Sequence, residues 1–239
     1  MTRSNAKWSV GVVIPAQNEE TTIEACIASV LTSLAAVGVD HRIVVVADLC
    51  IDRTVERARR ALGSAGEVIE TNAASAGAAR RLGAARVLEH WRHRDPSHIW
   101  LANTDADTQV CEDWIAVQLR LADDGVTAVA GIIQLEPGGC AAAHTVYRET
   151  YLTSAEGTHS HVHGANLSVR ADAYADVGGW STLALSEDHC LWGRLRRNGW
   201  RVSSPVSSVV TTSARLEGRA KGGFADTLRA CVEAIHADS

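Results

Sequence analysis

Asp105-Ala106-Asp107 is the sharpest chemical feature of this sequence. A carboxylate pair directly after a short apolar run can hold Mg²⁺ or Mn²⁺, hard ions that take oxygen ligands and share their shell with substrate phosphates. Residues two apart face one side only while the chain is extended, so past a strand end the two acids need not play equal parts. Taken alone the triplet is also an ordinary turn, and its weight comes from its surroundings. Gln17, Asn18, Glu19 and Glu20 follow one apolar run, Asp48 follows a second, and Thr71 and Asn72 follow a third. Asn18 and Asp52 double as helix caps, and Asp48 as a turn residue.

Four further stretches carry chemistry-bearing groups. Gly77-Ala78-Ala79-Arg80-Arg81 opens a helix with small residues and then presents guanidinium groups, a combination suited to a diphosphate or to a solvated basic face. His159, His161 and His163 alternate, so on a strand their imidazoles share one face; without a matching Cys or carboxylate they read as a polar, substrate-facing edge rather than a zinc site. Gly164-Ala165-Asn166 follows, small enough for a ligand to approach the backbone. Ser186-Glu187-Asp188 opens another helix, where acids complement the macrodipole whether or not they react. The Gly178-Gly179-Trp180 loop before it has the freedom to bring Asp188 toward a ligand.

These groups need a scaffold, and the apolar pattern supplies one. Val10 to Ile14 and Ile43 to Ala47 read as strands buried on both faces, followed by a third strand at Glu67 to Glu70 and a fourth at Ile99 to Ala102. Between them lie helices carrying Ile23, Ile27, Val30, Leu31 and Leu34 (capped by Asn18, stopped by Gly38), then Val55, Ala58 and Leu62 (capped by Asp52, stopped by Gly63), then Ser75 to His90. Another helix near Trp114 precedes a strand from Val126 to Ile133. This alternation predicts a Rossmann-like α/β domain with a mostly parallel sheet. Ligands of such sheets sit at the carboxyl ends of the strands, where the polar clusters fall. After Pro137-Gly138-Gly139 the rhythm changes, so a single domain over 1–239 divides into a first half (about 8–135), a second half (about 136–215) and a C-terminal helix (about 216–239). That helix places Phe224, Leu228, Cys231, Val232 and Ile235 on one stripe that packs on the core, with a homodimer contact or a lid as the second reading.

Composition narrows the field. The 239 residues are 46% hydrophobic and 21% charged with a net charge of −5, so the chain can bury a sizeable core and shows no basic field for nucleic acid. No run is long and apolar enough for a membrane helix, and Met1 to Lys7 lacks the apolar stretch of a signal peptide; the expectation is a cytoplasmic protein. The six cysteines form no CxxC pair, which argues against a zinc ribbon or a disulfide framework. Neither GxGxxG nor GxxxxGK[ST] occurs, which excludes the usual dinucleotide and P-loop sites.

Val13-Ile14-Pro15-Ala16-Gln17-Asn18-Glu19-Glu20, Asp48 with Asp52-Arg53-Thr54, Asp105-Ala106-Asp107, Gly164-Ala165-Asn166-Leu167-Ser168-Val169-Arg170, Gly178-Gly179-Trp180 and Glu187-Asp188 together resemble the family 2 glycosyltransferases of GT-A fold, over about Val10 to Thr212. The resemblance implies an inverting enzyme that moves one sugar from a UDP- or GDP-sugar to an acceptor hydroxyl. It implies that Pro15, Ala16, Asn18, Glu19 and Asp48, with Arg80 and Asp105, hold the donor nucleotide. It further implies that Asp107, the firmer ligand, and Asp105 hold Mn²⁺ or Mg²⁺, and that Asp188, beside Glu187, is the general base. His161, His163, Gly164, Asn166 and Trp180 are expected to line the acceptor side, the acceptor being a small molecule, a lipid-linked molecule or a glycan. The family's late metal-binding His and QxxRW motif are not evident; Thr211-Thr212-Ser213-Ala214-Arg215 stands in their place, so a third protein ligand is unassigned. A sugar nucleotidyltransferase and a catalytically silent sugar-nucleotide-binding module are the alternatives.

Overall fold

The computed structural model describes residues 8–137, 157–182 and 186–216, together with positions 144, 218, 229, 230 and 233. The boundary expected at Gly138-Gly139 and the apolar stripe from Phe224 to Ile235 lie outside the described residues. In chain order the elements are β1 (Ser9–Ala16), α1 (Ile23–Val37), β2 (Asp40–Asp48), α2 (Thr54–Leu62), β3 (Gly66–Thr71), α3 (Ala76–His90), β4 (Ile99–Asn103), β5 (Thr108–Val110), α4 (Trp114–Asp123), β6 (Ala128–Ala130) and β7 (Ile132–Leu135). Then come β8 (Leu167–Arg170), α5 (Ala171–Asp176), α6 (Glu187–Arg197), β9 (Val202–Ser203) and β10 (Val209–Thr212). Among the described residues no helix is long and apolar enough to cross a membrane.

Seven strands form the main sheet in the order β3-β2-β1-β4-β8-β6-β9, with β5-β10-β7 as a smaller sheet. The pairs β1–β2, β2–β3, β1–β4 and β6–β9 are parallel, whereas β8 runs antiparallel to both of its neighbours. Alternation in β1 and β2 explains the two layers. Val10, Val12, Ile14, Ile43 and Val45 enter one core with α1, α2 and α4; Val13, Val44 and Val46 enter a second beneath α3, α5 and α6. Glycine lets α3 lie close to β1, since a methyl at Gly83 would overlap Val13 and one at Gly11 would overlap Val87. Successive strands build outward from β1 toward β2 and β3 on one side and toward β4 on the other, so the crevice of a doubly wound sheet opens at the carboxyl ends of β1 and β4.

The single strand expected over Val126 to Ile133 is instead two, β6 and β7, in different sheets. The break falls at Gly131, where a Cβ would overlap the Asn166 amide and the Ser208 carbonyl. Asn18 does not cap α1. Its backbone is left-handed at φ 54, and the helix begins only at Ile23, after Thr22. The N-cap of α2 is Arg53 and not Asp52, which stands one residue earlier and accepts from the Thr54 backbone N–H at 3.0 Å.

Candidate active site

The loops after β1 and β2 are laced into one wall. Asn18 Oδ1 accepts from the Ile51 N–H (2.8 Å), the Glu19 N–H donates to Thr54 Oγ1 (2.7 Å), and the Glu20 N–H donates to Asp52 Oδ2 (3.1 Å). Asp48 is buried at the end of β2, and its two oxygens accept from the Ala74 and Ser75 N–H groups at 3.2 and 3.1 Å. It therefore fixes the entry to α3. Asn18, Leu49, Ala74 and Ser186 are the described non-glycine residues with positive φ, and each lies in a loop bordering this rim. A cleft of about 240 Å³ lies between Leu49, Cys50, Val55, Thr71 and Asn72. A larger hollow of about 390 Å³ lies at the other end of α3, against Trp91 and Arg94.

Two arginines organise the acids. Arg80, 4% exposed, donates to Asp105 Oδ1 at 2.6 Å and to Glu187 Oε1, with its guanidinium 5.3 Å from the Trp180 ring centroid. Its terminal nitrogens are thus spent on protein carboxylates, and the expected grip on a diphosphate is replaced by a bridge between the DxD triplet and the start of α6. A Cβ at Gly164 would stand 2.5 Å from that guanidinium carbon, which explains the glycine there. Burial pushes the Glu187 carboxyl up, against the pull of Arg80. Burial would lower Arg80, but Asp105 and Glu187 outweigh it and hold the guanidinium charged.

Arg215, just beyond β10, was not anticipated as a site residue. Its Nη2 donates to Glu19 Oε1 (2.6 Å) and lies 2.9 Å from Asp107 Oδ2, while Nη1 donates to Glu19 Oε2 (3.0 Å). Glu19 is 4% exposed and turned inward to this pair. Burial pushes Asp107 up to about 6, opposed by Arg215 and reinforced by Asp105 and Glu19. Loss of solvation thus outweighs the pull of the guanidinium on Asp107.

Asp188 sits on the other side. Its Oδ2 accepts from the Gly164 N–H at 3.0 Å and its Oδ1 from the His189 N–H at 2.7 Å, so both oxygens are oriented by backbone. Arg81 and Arg194 brace the preceding loop through the carbonyls of Val177, Gly178, Gly179 and Trp180. His159, His161 and His163 lie in extended chain outside any strand, yet their rings do stack on one face with centroids 6.0 and 6.1 Å apart. Burial pushes all three imidazoles down, His163 to about 3, so they act as neutral groups. Asn166 does not face the cleft. It is fully buried, its Oδ1 accepting from Trp114 Nε1 (2.8 Å) and its Nδ2 donating to the Ile132 and Ser208 carbonyls (2.9 Å each). Trp180, 1% exposed beneath Arg80, is likewise a support and not a lining residue.

Residues 11–176, more than half of the chain, match the family profile described as Glycosyl transferase family 2. The chain belongs to that family. Its GT-A fold is shared with solved structures of low identity. One is a mannosyltransferase, PcManGT, from Pyrobaculum calidifontis in complex with GDP-Man and Mn²⁺: TM-score 0.65, 19% identity, 96% of this chain and 64% of that one. Another is residues 1-349 of TarS from S. aureus in complex with UDP: TM-score 0.61, 16% identity, 87% of this chain and 61% of that one. The family 2 chain thus spans less than two thirds of either neighbour. No curated protein matches it.

Within this family member the sequence marked the acids correctly as neighbours in space but not the cations between them. Arg80 stood out as a helix-start guanidinium, with nothing to say that it would turn inward. Arg215 lies 196 positions from Glu19, and no local pattern announces such a pair.

Proposed function

We propose that this family 2 member moves one sugar from a UDP- or GDP-sugar to an acceptor hydroxyl, with inversion at the anomeric carbon. The observation that carries the reading is one chain of contacts among the acids: Arg215 joins Glu19 to Asp107, Arg80 joins Asp105 to Glu187, and Asp188 follows Glu187 at the start of α6. The GDP-Man and UDP held by structural neighbours support a nucleoside-diphosphate donor. Pro15, Ala16, Asn18 and Asp48, at and just after the carboxyl ends of β1 and β2, are assigned to the nucleoside.

The donor set fits a hard divalent cation. Asp107 is a half-buried carboxylate raised to about 6 beside two others, which is an electrostatic situation a cation relieves. Among the described residues no group of three or more His, Cys, Asp or Glu could hold a metal by itself, so an ion held at Asp107 would need further oxygen ligands, which a diphosphate would supply. Asp107 is the assigned ligand, with Asp105 steered by Arg80. When bound, the ion neutralises charge developing on the leaving diphosphate.

The chain's own residues do the rest. Asp188, oriented by two backbone N–H groups, takes the proton from the acceptor hydroxyl as its oxygen attacks the anomeric carbon. Glu187 holds Arg80 and so sets the distance between the two halves of the crevice. His161 and His163 offer neutral ring nitrogens to the acceptor side, together with the Gly164 backbone. The test is release of nucleoside diphosphate on incubation with UDP- and GDP-sugars, with the first-formed anomer read by NMR. An inverted sugar is expected, and no release from any donor by the wild type would refute the reading.

A further inference from the structure

The contact of Arg215 with Glu19 and Asp107 bears on how the cation enters, and an inference from it rests on the donor-and-metal reading above. One amino group of the guanidinium, Nη2, bridges the two carboxylates, at 2.6 Å to Glu19 Oε1 and 2.9 Å to Asp107 Oδ2. Its neighbour Nη1 closes a second bond on Glu19 at 3.0 Å, so the fork is anchored bidentately on Glu19 and reaches Asp107 with one corner. Asp107 keeps one weak contact on its other oxygen, from Thr108 Oγ1 at 3.3 Å. The Arg215 side chain is 28% exposed, and its guanidinium stands on the assigned cation ligand, at the end of a segment that leaves β10.

We infer that Arg215 makes cation binding depend on the donor: it occupies Asp107 as a built-in counterion, so a divalent cation binds poorly alone and firmly only together with a diphosphate. A cation approaching Asp107 by itself meets a positive charge within contact distance and a carboxylate already paired with it. A diphosphate brings further negative charge into the same space and reverses that balance. Asp107 then exchanges the Arg215 contact for the cation, while Glu19 retains the guanidinium. By linkage, cation and nucleotide must strengthen each other by the same factor, and Arg215 sets its size.

The test uses Mn²⁺ as the probe, with free ion counted by its EPR signal, for wild type, Arg215→Met and Arg215→Gln, each alone and with saturating UDP or GDP. The Met variant removes charge and hydrogen bonds; the Gln variant removes charge but keeps a donor, which guards against loss of folding. Wild type is expected to bind Mn²⁺ weakly alone and tightly with one nucleotide. Both variants are expected to bind Mn²⁺ alone at least about tenfold more tightly than wild type, with the nucleotide-dependent gain reduced by a similar factor. Variants that bind Mn²⁺ alone no better than wild type, while wild type keeps its nucleotide-dependent uptake, would overturn the role of Arg215 and leave the metal reading standing. Wild type that takes up no Mn²⁺ even with UDP or GDP would overturn the metal reading and this inference together.

Discussion

Replacing Arg80 with Met removes a 4%-exposed guanidinium and leaves the hydrocarbon stem in place, so the change isolates the charge. Two carboxylates lose their partner. Asp105, with a side chain 34% exposed, regains water, whereas Glu187, at 11%, does not. The penalty falls mainly on Glu187. Breaking a buried pair by removing one member costs about 3–5 kcal/mol, and the partial rehydration of Asp105 puts the expected loss at the lower end, ~3 kcal/mol. Against a typical total stability of about 5–15 kcal/mol, this raises the unfolded fraction by roughly two orders of magnitude. The loss must depend on pH. Glu187 is already pushed up by burial in the presence of Arg80 and rises further without it. A carboxyl whose folded value lies above its unfolded one contributes stability below the unfolded value and loses it as pH rises through the folded value. Urea unfolding at about pH 8 and about pH 5 is therefore expected to show a deficit in R80M that shrinks by ~1 kcal/mol or more at the acid end. A deficit below about 1 kcal/mol at neutral pH, or one equal at both ends, would refute the claim that Arg80 neutralises a buried acid.

Three other perturbations follow from the same geometry. Asn166→Ala strips partners from Trp114 Nε1 and from the Ile132 and Ser208 carbonyls, and is expected to cost about 3 kcal/mol by denaturant unfolding, because those groups lie buried. His163, depressed to about 3 against an ordinary 6.5, makes the unfolded chain take up a proton that the folded chain refuses. Stability is then lost as pH falls from about 6 toward 4 by up to ~1.4 kcal/mol per unit, and His163→Asn should flatten that slope while leaving the contribution of His159 and His161. Asp188→Asn keeps an acceptor for the Gly164 N–H but cannot take a proton; a fall of about 10²–10⁴ in the rate of diphosphate release is expected, with nucleotide affinity measured by calorimetry unchanged.

The parts of the fold legible in the sequence are those whose hydrophobicity is continuous. β1 and β2 read as strands because both faces of Val10 to Ile14 and Ile43 to Ala47 are covered, and Gly38 and Gly63 mark helix ends by their left-handed backbone. β8, β9 and β10 were invisible because strands of two to four residues owe their existence to register with distant partners, such as Thr211 against Gln109. The strand drawn through Gly131 failed for a related reason: the chain changes sheets there to make room for the Asn166 amide. In the candidate site, the strand-end rule located Asp48 at the end of β2 and Asp105 and Asp107 just after β4. It could not tell that Asn166, in a Gly-Ala-Asn run that looks permissive, spends its amide inside the core.

The account stands most directly on Asp107. Calorimetric titration of UDP and GDP, each with Mn²⁺ and with EDTA, into wild type and Asp107→Ala is the decisive measurement. One nucleotide is expected to bind wild type only when Mn²⁺ is present and to lose that metal-dependent affinity in D107A. Binding of neither nucleotide, or equal binding in wild type and D107A with Mn²⁺ present, would contradict it.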